Sequence, residues 1–206
     1  MNILIVLVIP YMAMLGCGAP VPGSSALVED PQTQELVQTS RLLLQKVLMA
    51  IPETHRSSVQ SESLKLNSSE NTKLVIMAST IGIPPAPVLK ALSENFTMGT
   101  CLRRISEGLQ LHRTLLAVIA DHLKNKDRML ALQADIRDLN IQINKMLKMV
   151  GEETVVPPAV TLNLPADYEV QVAAHLTLQQ LQTFGRDVDR HLKSLDKTVD
   201  EEPDDR

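Results

Sequence analysis

Tryptophan is absent from this 206-residue chain, and phenylalanine and tyrosine number two each. A core without aromatic bulk has to be assembled from Leu, Ile, Val and Met. At 44% apolar residues there is enough of these for one domain. Cysteine is nearly missing as well. Of Cys17 and Cys101, the first lies in a segment expected to be removed, so Cys101 is expected to be free and no intramolecular disulfide forms. A lone cysteine in an exported chain could pair between molecules; the favoured reading is a small buried thiol at the start of a helix. No basic excess exists either: the net charge is −4. From Asp196 to Arg206 six acids face only Lys197 and Arg206, so the rest of the chain sums to zero. A neutral body with an acidic end offers no phosphate-neutralising surface, which excludes nucleic-acid binding as a function class.

Reactive motifs are lacking too. The chain has no nucleotide loop, zinc motif, nucleophile elbow or dithiol motif. The histidines His55, His112, His122, His175 and His191 show no ligand spacing such as i and i+4. No metal, no cofactor and no enzyme activity are therefore expected, and His112 and His175 read as hydrogen-bonded helix residues.

What is present begins with a leader. Ile3 to Leu15 is uncharged and apolar and is followed by Gly16, Cys17, Gly18 and Ala19, the pattern of a secretory signal peptide cut near Gly18. No Lys or Arg precedes the apolar run and Pro10 interrupts it. A membrane anchor is the rival, but about 13 residues span only about 20 Å of helix, short of a bilayer. The expected organisation is a signal peptide at 1–18, a flexible segment at 19–32, one helical domain at 33–195 and an acidic disordered tail at 196–206. The mature protein is expected to be secreted, without stable membrane insertion.

Four long stretches repeat apolar residues at helical spacing. The third is the cleanest: Met129, Leu132, Ile136, Leu139, Ile143, Met146 and Val150 alternate steps of three and four. The second carries Leu102, Ile105, Leu109, Leu116, Ile119 and Leu123, with His112 in the one polar step. The first is expected over 33–50, with Leu36, Leu43, Val47 and Ile51 inward and its end at Ile51-Pro52, because proline disfavours helix in its predecessor. Its register is ambiguous, since Leu42, Leu43, Leu44, Leu48 and Met49 crowd several faces. The remaining helices are expected over 98–123, 127–150 (stopped by Gly151) and 167–195, with a short extra helix over 72–80 in the first link. In the last helix Ala173, Leu176, Leu181, Phe184, Val188, Leu192 and Leu195 face inward. Gly185 there costs about 1 kcal/mol relative to Ala, for no reason visible in the sequence.

Link lengths then select a topology. Three or four residues between the second and third helices allow only an antiparallel hairpin. About 16 residues between the third and fourth reach roughly 50 Å when extended, enough to return along a helix of about 36 Å. The link between the first and second is longer still. The expected fold is all-α: a long-chain four-helix bundle, up-up-down-down, with two long crossover links.

Asp135 and Asp138 lie one turn apart beside the apolar stripe of the third helix. A solvated helix face is the default reading and a charge pair for a partner the next; catalysis is remote. Sequons stand at Asn67-Ser68-Ser69 and Asn95-Phe96-Thr97, candidate glycosylation sites in the first long link.

The segment Ile81-Gly82-Ile83-Pro84-Pro85-Ala86-Pro87, then Cys101-Leu102 and Gly108-Leu109 through Leu115-Leu116, resembles the granulocyte colony-stimulating factor family. The likeness continues at Leu132-Gln133-Ala134-Asp135-Ile136-Arg137-Asp138 and from Leu178-Gln179-Gln180-Leu181 to Arg190-His191-Leu192. It covers most of the chain from Leu74 to Leu195, and its divergence suits a distant vertebrate, fish-like member. The resemblance implies a cytokine or growth factor, monomeric before it meets its partner. That partner would be a single-pass class I cytokine receptor ectodomain, which the cytokine dimerises to drive granulocyte-lineage cells. One implied receptor site uses the first and third long helices, where Asp135 and Asp138 match acidic positions that meet receptor arginines. Gln142 and Lys145 lie further along that face, and Gln45 and Lys46 are the candidates on the first helix. Lys145 and Lys148 replace polar or acidic family residues. The second implied site, for an immunoglobulin-like receptor domain, uses the short helix, where Val75, Ile76 and Thr80 match. Its acidic anchor aligns with Lys73, and Glu70 is the nearest substitute. The family's two disulfides are lost: the partner position of Cys101 holds Ala91, and the other pair aligns with Ser63 and Ser69. The resemblance therefore implies a looser first link. Alternatives are another interleukin-6-type helical cytokine with a different receptor, and a secreted lipid-binding helical protein.

Overall fold

A computed structural model describes residues 30–66, 74–93, 97–154, 156 and 159–196. The leader at 1–18, Asn67 and Asn95, and the tail beyond 196 lie outside the described residues. Among the described residues five helices make up the body: α1 (Pro31–Ser58), the short α2 (Leu74–Ile81), α3 (Met98–Ala120), α4 (Asp127–Met149) and α5 (Asp167–Leu195).

Each start and stop has a local cause. Asp30 caps α1 by accepting a bond from the Thr33 N–H at 2.9 Å, with Pro31 in the first turn. Thr97 caps α3 through the Thr100 N–H. Gly82 and Gly151 adopt left-handed φ of 88° and 74° just past α2 and α4. There the Ile83 and Glu152 N–H groups close back on the Ala78 and Leu147 carbonyls.

The pairs between helices fix the directions. Thr33 of α1 lies by Met149 of α4, and Lys46 by Asp135, so these helices run oppositely. Gln34 donates to the Leu195 carbonyl of α5, while His55, near the other end of α1, meets His175. Gly108 of α3 faces Phe184 of α5, and Ser106 reaches Asn140 and Asn144 of α4. Helices α1 and α3 are therefore parallel to each other and antiparallel to α4 and α5. The principal contacts join α1 to α4 and α5, and α3 to α4 and α5, so α1 and α3 stand diagonally. This is the up-up-down-down bundle. The stripe of α4 is buried as expected from Met129 to Met146, and it closes on Leu102, Ile105, Leu109, Leu116 and Ile119 of α3 and on Val37, Leu44, Val47 and Ile51 of α1.

Several expectations need correction. Helix α1 does not stop at Ile51-Pro52 but continues to Ser58 with Pro52 inside it. The extension buries Ile51, Thr54, His55 and Ser58, and this packing outweighs the roughly 3 kcal/mol that an interior proline costs. Within the same helix Leu44 is fully inward and Leu43 only half-buried. The helix starts at Pro31 rather than after 32, and Asp196, assigned to the tail, is buried and ion-paired with Arg41. Helix α3 ends at Ala120, leaving Leu123 outside it though still packed on the core.

Gly185 now has its reason. A Cβ there would lie 2.7 Å from Leu48 Cδ2, so its absence lets α1 and α5 approach closely. The link between α2 and α3 carries no disulfide, yet it is tied twice. Gln180 Nε2 donates to the Pro84 carbonyl at 3.0 Å, and His191 Nε2 meets the Lys90 carbonyl at 2.8 Å. The two crossovers also touch, Asn163 N–H donating to the Ile81 carbonyl.

Candidate functional site

Antiparallel packing of α1 on α4 gathers five of the candidate residues at one seam. Asp135, Asp138, Gln142 and Lys145 recur at steps of three, four and three, which puts them on one side of α4. Lys46 comes from α1 alongside, whereas Gln45, also exposed, lies about 100° round that helix, on the side where Arg41 and Leu48 meet α5 and its C-terminus. The ordinary helical period of both stripes makes this face: with Met129 through Met146 and Val37 through Ile51 turned inward, these six residues are left outside or at the seam.

The acids are not free carboxylates in water. Lys46 Nζ lies 2.7 Å from Asp135 Oδ1 across the α1–α4 seam; the Lys46 side chain is 64% exposed and that of Asp135 only 14%. Asp135, as hydrogen-bond partner and then as charge, holds the Lys46 ammonium above the ordinary lysine range, with a smaller contribution from Asp138. Asp138 is 46% exposed, and its Oδ1 receives both Nε and Nη2 of Arg137. One turn on, Lys145 donates to Gln142 Oε1 at 3.0 Å. The face is therefore a strip of alternating charge.

Sequence reasoning missed two members. Leu42 and Met49 are large, apolar and exposed on α1, at the helical steps that flank Gln45 and Lys46. The surplus of Leu and Met around α1 was the available signal. Exposed apolar groups rimmed by polar ones mark interaction surfaces.

The second set stands apart on α2. Ile76 is 75% exposed, and Thr80, also exposed, bonds through Oγ1 to the Ile76 carbonyl. Val75 lies in the same helix, while Glu70 and Lys73 fall outside the described residues.

Chemistry elsewhere is structural. Burial pushes the Cys101 thiol up to about 11. His112 is wholly buried, its Nδ1 donating to the Gly108 carbonyl at 2.7 Å while its ring stacks on Phe184. Its Nε2 makes no hydrogen bond of ordinary geometry, and desolvation takes the pKa down to about 4 against the opposing Gly108 carbonyl. His55 and His175, 120 positions apart, meet at 2.9 Å between Nε2 and Nδ1. Burial, then the charge of His175, lowers His55 to about 4, and burial lowers His175. Among the described residues no group of three or more His, Cys, Asp or Glu could hold a metal, and no helix is long and apolar enough to cross a membrane.

No family model matches the chain. Two curated relatives do. Over 115 residues it is 30% identical to granulocyte colony-stimulating factor of the cat, covering 54% of this chain and 59% of the cat protein, less than two thirds of its length. Over 148 residues it is 30% identical to granulocyte colony-stimulating factor of the dog, covering 71% of this chain and 76% of that one. With the up-up-down-down bundle and the match to most of the dog protein taken together, the chain belongs to the granulocyte colony-stimulating factor family, a family of cytokines and not of enzymes.

Proposed function

We propose that this protein is a secreted cytokine that binds and dimerises a single-pass class I cytokine receptor, of the granulocyte colony-stimulating factor receptor type. By doing so it drives proliferation and differentiation of granulocyte-lineage cells. The mechanism is enforced proximity: the ligand performs no reaction and holds two receptor chains together, so that the kinases attached inside the cell act on each other. The leader at 1–18 directs export, the sequons at Asn67 and Asn95 are offered for glycosylation, and the chain is a monomer until it meets receptor.

One observation supports this reading most. The α1–α4 seam collects Lys46, Asp135, Asp138, Gln142 and Lys145 beside the exposed side chains of Leu42 and Met49, with Gln45 exposed further round α1. Apolar anchors within a rim of directional charged groups are what a protein interface of about 800 Å² per partner requires. Helix α2, with Ile76 and Thr80 exposed and Val75 in the same helix, supplies the second contact, toward an immunoglobulin-like receptor domain. Changing Asp135 and Asp138 together to Arg is expected to weaken binding to the receptor ectodomain at least tenfold with helicity unchanged. Unaltered affinity in that variant removes this face from the interface.

A further inference from the structure

We propose that the His55–His175 pair is an acid-sensitive latch. Closed while both rings are neutral, it clamps the end of α1 and the start of the first crossover onto α5; with both rings protonated it lets them go.

The clamped piece is set off from the rest of α1 by Pro52. Proline has no N–H, so the bond that would tie it to the Leu48 carbonyl is missing and the helix is one bond short at that turn. Beyond it, His55 Nε2 meets His175 Nδ1 at 2.9 Å, and Gln171 Oε1 accepts the Gln60 and Ser61 N–H groups at 2.9 and 3.0 Å. Val59 and Leu64 of the same piece are buried. Water reaches this corner. A half-open hollow of about 180 Å³ is lined by Ser58, three residues after His55, and by Gln171, four before His175.

The rings limit what the latch can bear. Between two neutral imidazoles one nitrogen donates and the other accepts. A first proton leaves that bond in place but sets a charge among buried groups. A second puts an N–H on both facing nitrogens, 2.9 Å apart, so the bond is lost and two like charges repel.

The surrounding charges do little to relieve this. On α1, Glu53 and Arg56 pair with each other at the surface. Glu62 and Lys65 of the crossover are exposed, as are Lys126, Asp127 and Arg128 where α4 begins and Asp121 at the end of α3. On α5 Asp167 is exposed and Glu169 partly so, and Asp167 shares the hollow with His122 and Lys124. No carboxylate among them offsets the burial and the His175 charge that depress His55 to about 4, and burial depresses His175 too. An opened corner returns the rings to water, where histidine titrates near 6.5. Between pH 7 and 5 opening therefore becomes about 20-fold more favourable through His55 alone, and His175 acts in the same direction. The latch is shut above about pH 6.5 and gives way as the pH falls, over the range in which histidine sensors of acidified compartments work.

The test is amide hydrogen exchange of the exported protein, read by mass spectrometry at pH 7 and 5 and corrected for the intrinsic effect of pH. Protection over 53–64 is expected to fall about 20-fold or more beyond any fall over 129–146, the buried stripe of α4. In the His55→Gln/His175→Gln variant, whose amides can still pair across the helices and do not titrate, this difference should vanish. Unchanged protection over 53–64 in the parent overturns the inference. So does an equal loss in both segments, which makes the change global, and so does a loss confined to 53–64 that survives in the double variant. Should the double variant be open already at pH 7, the single variants decide. Each keeps one titrating ring, so its protection between pH 6 and 5 should follow one proton where the parent follows up to two; the parent's full slope in both single variants overturns the latch.

Discussion

Replacing Gly108 by alanine tests how tightly α3 and α5 are fitted. In an ordinary helix interior the change stabilises by about 1 kcal/mol, because glycine loses more backbone entropy on folding. Here an added Cβ would stand 2.2 Å from Phe184 Cζ, and 2.6 and 2.7 Å from the two Cε atoms. Carbon atoms rest at about 3.5–4.0 Å, so the ring has to retreat by more than about 1 Å. It cannot do so freely: Phe184 is buried, and His112 stacks on it with centroids 5.4 Å apart and planes 26° from parallel. Overpacking of a closed core costs about 1–3 kcal/mol, and a rigid ring belongs at the upper end. Net destabilisation is therefore about 2 kcal/mol. At this chain length that lowers the thermal midpoint by about 4–8 °C, to be followed by circular dichroism at 222 nm. In a Phe184→Leu background, which removes the ring tip, Gly108→Ala should become neutral or stabilising. Gly185→Ala is the internal control, because its obstacle is one methyl of half-buried Leu48, free to turn away, so its effect should lie near zero. A midpoint raised by Gly108→Ala in the parent protein would refute the close-contact reasoning.

The remaining predictions concern titratable groups. His55 and His112 sit at about 4, below the usual 6.5, so between these values the unfolded chain binds more protons than the folded one. Stability should be full above about pH 6.5 and decline as the pH falls toward 4, by about 3 kcal/mol from wholly buried His112. Urea unfolding at pH 7 and 4.5 measures this, and equal midpoints would contradict it. Cys101, buried and lifted to about 11, should react with Ellman's reagent at pH 8 only on unfolding; full labelling of the native protein within minutes would count against its burial.

Local rules carried far along this chain. The alternating steps from Met129 to Met146 correctly marked the buried side of α4, since a helix of fixed period turns every such residue the same way. The bounds of α5 and the stop at Gly151 were legible for the same reason, as capping and propensity act within a turn or two. The Pro52 signal was local too, and it was overruled. What keeps α1 helical through Ser58 is burial of Ile51, Thr54, His55 and Ser58, a contribution that exists only once the bundle has closed. At the candidate site the sequence named Asp135 and Asp138 as neighbours on one face, but could not show that Lys46 reaches across from α1 to hold Asp135 while Arg137 of the same helix engages Asp138. Leu42 and Met49 were hidden in the same way: in a helix rich in leucine, only the packing reveals which of them remain outside.

By itself the sequence determined an aliphatic all-helical core, the approximate extent of four long helices, and a topology forced by long, short and long links, because these depend on short-range geometry and reach. Tertiary structure alone decided the meeting of His55 with His175, the fit of Phe184 over Gly108, the capture of Asp196 by Arg41, and the reach of Lys46 to Asp135. Each of these joins groups far apart in the chain, and their distances are set by how the helices cross, which no run of adjacent residues encodes.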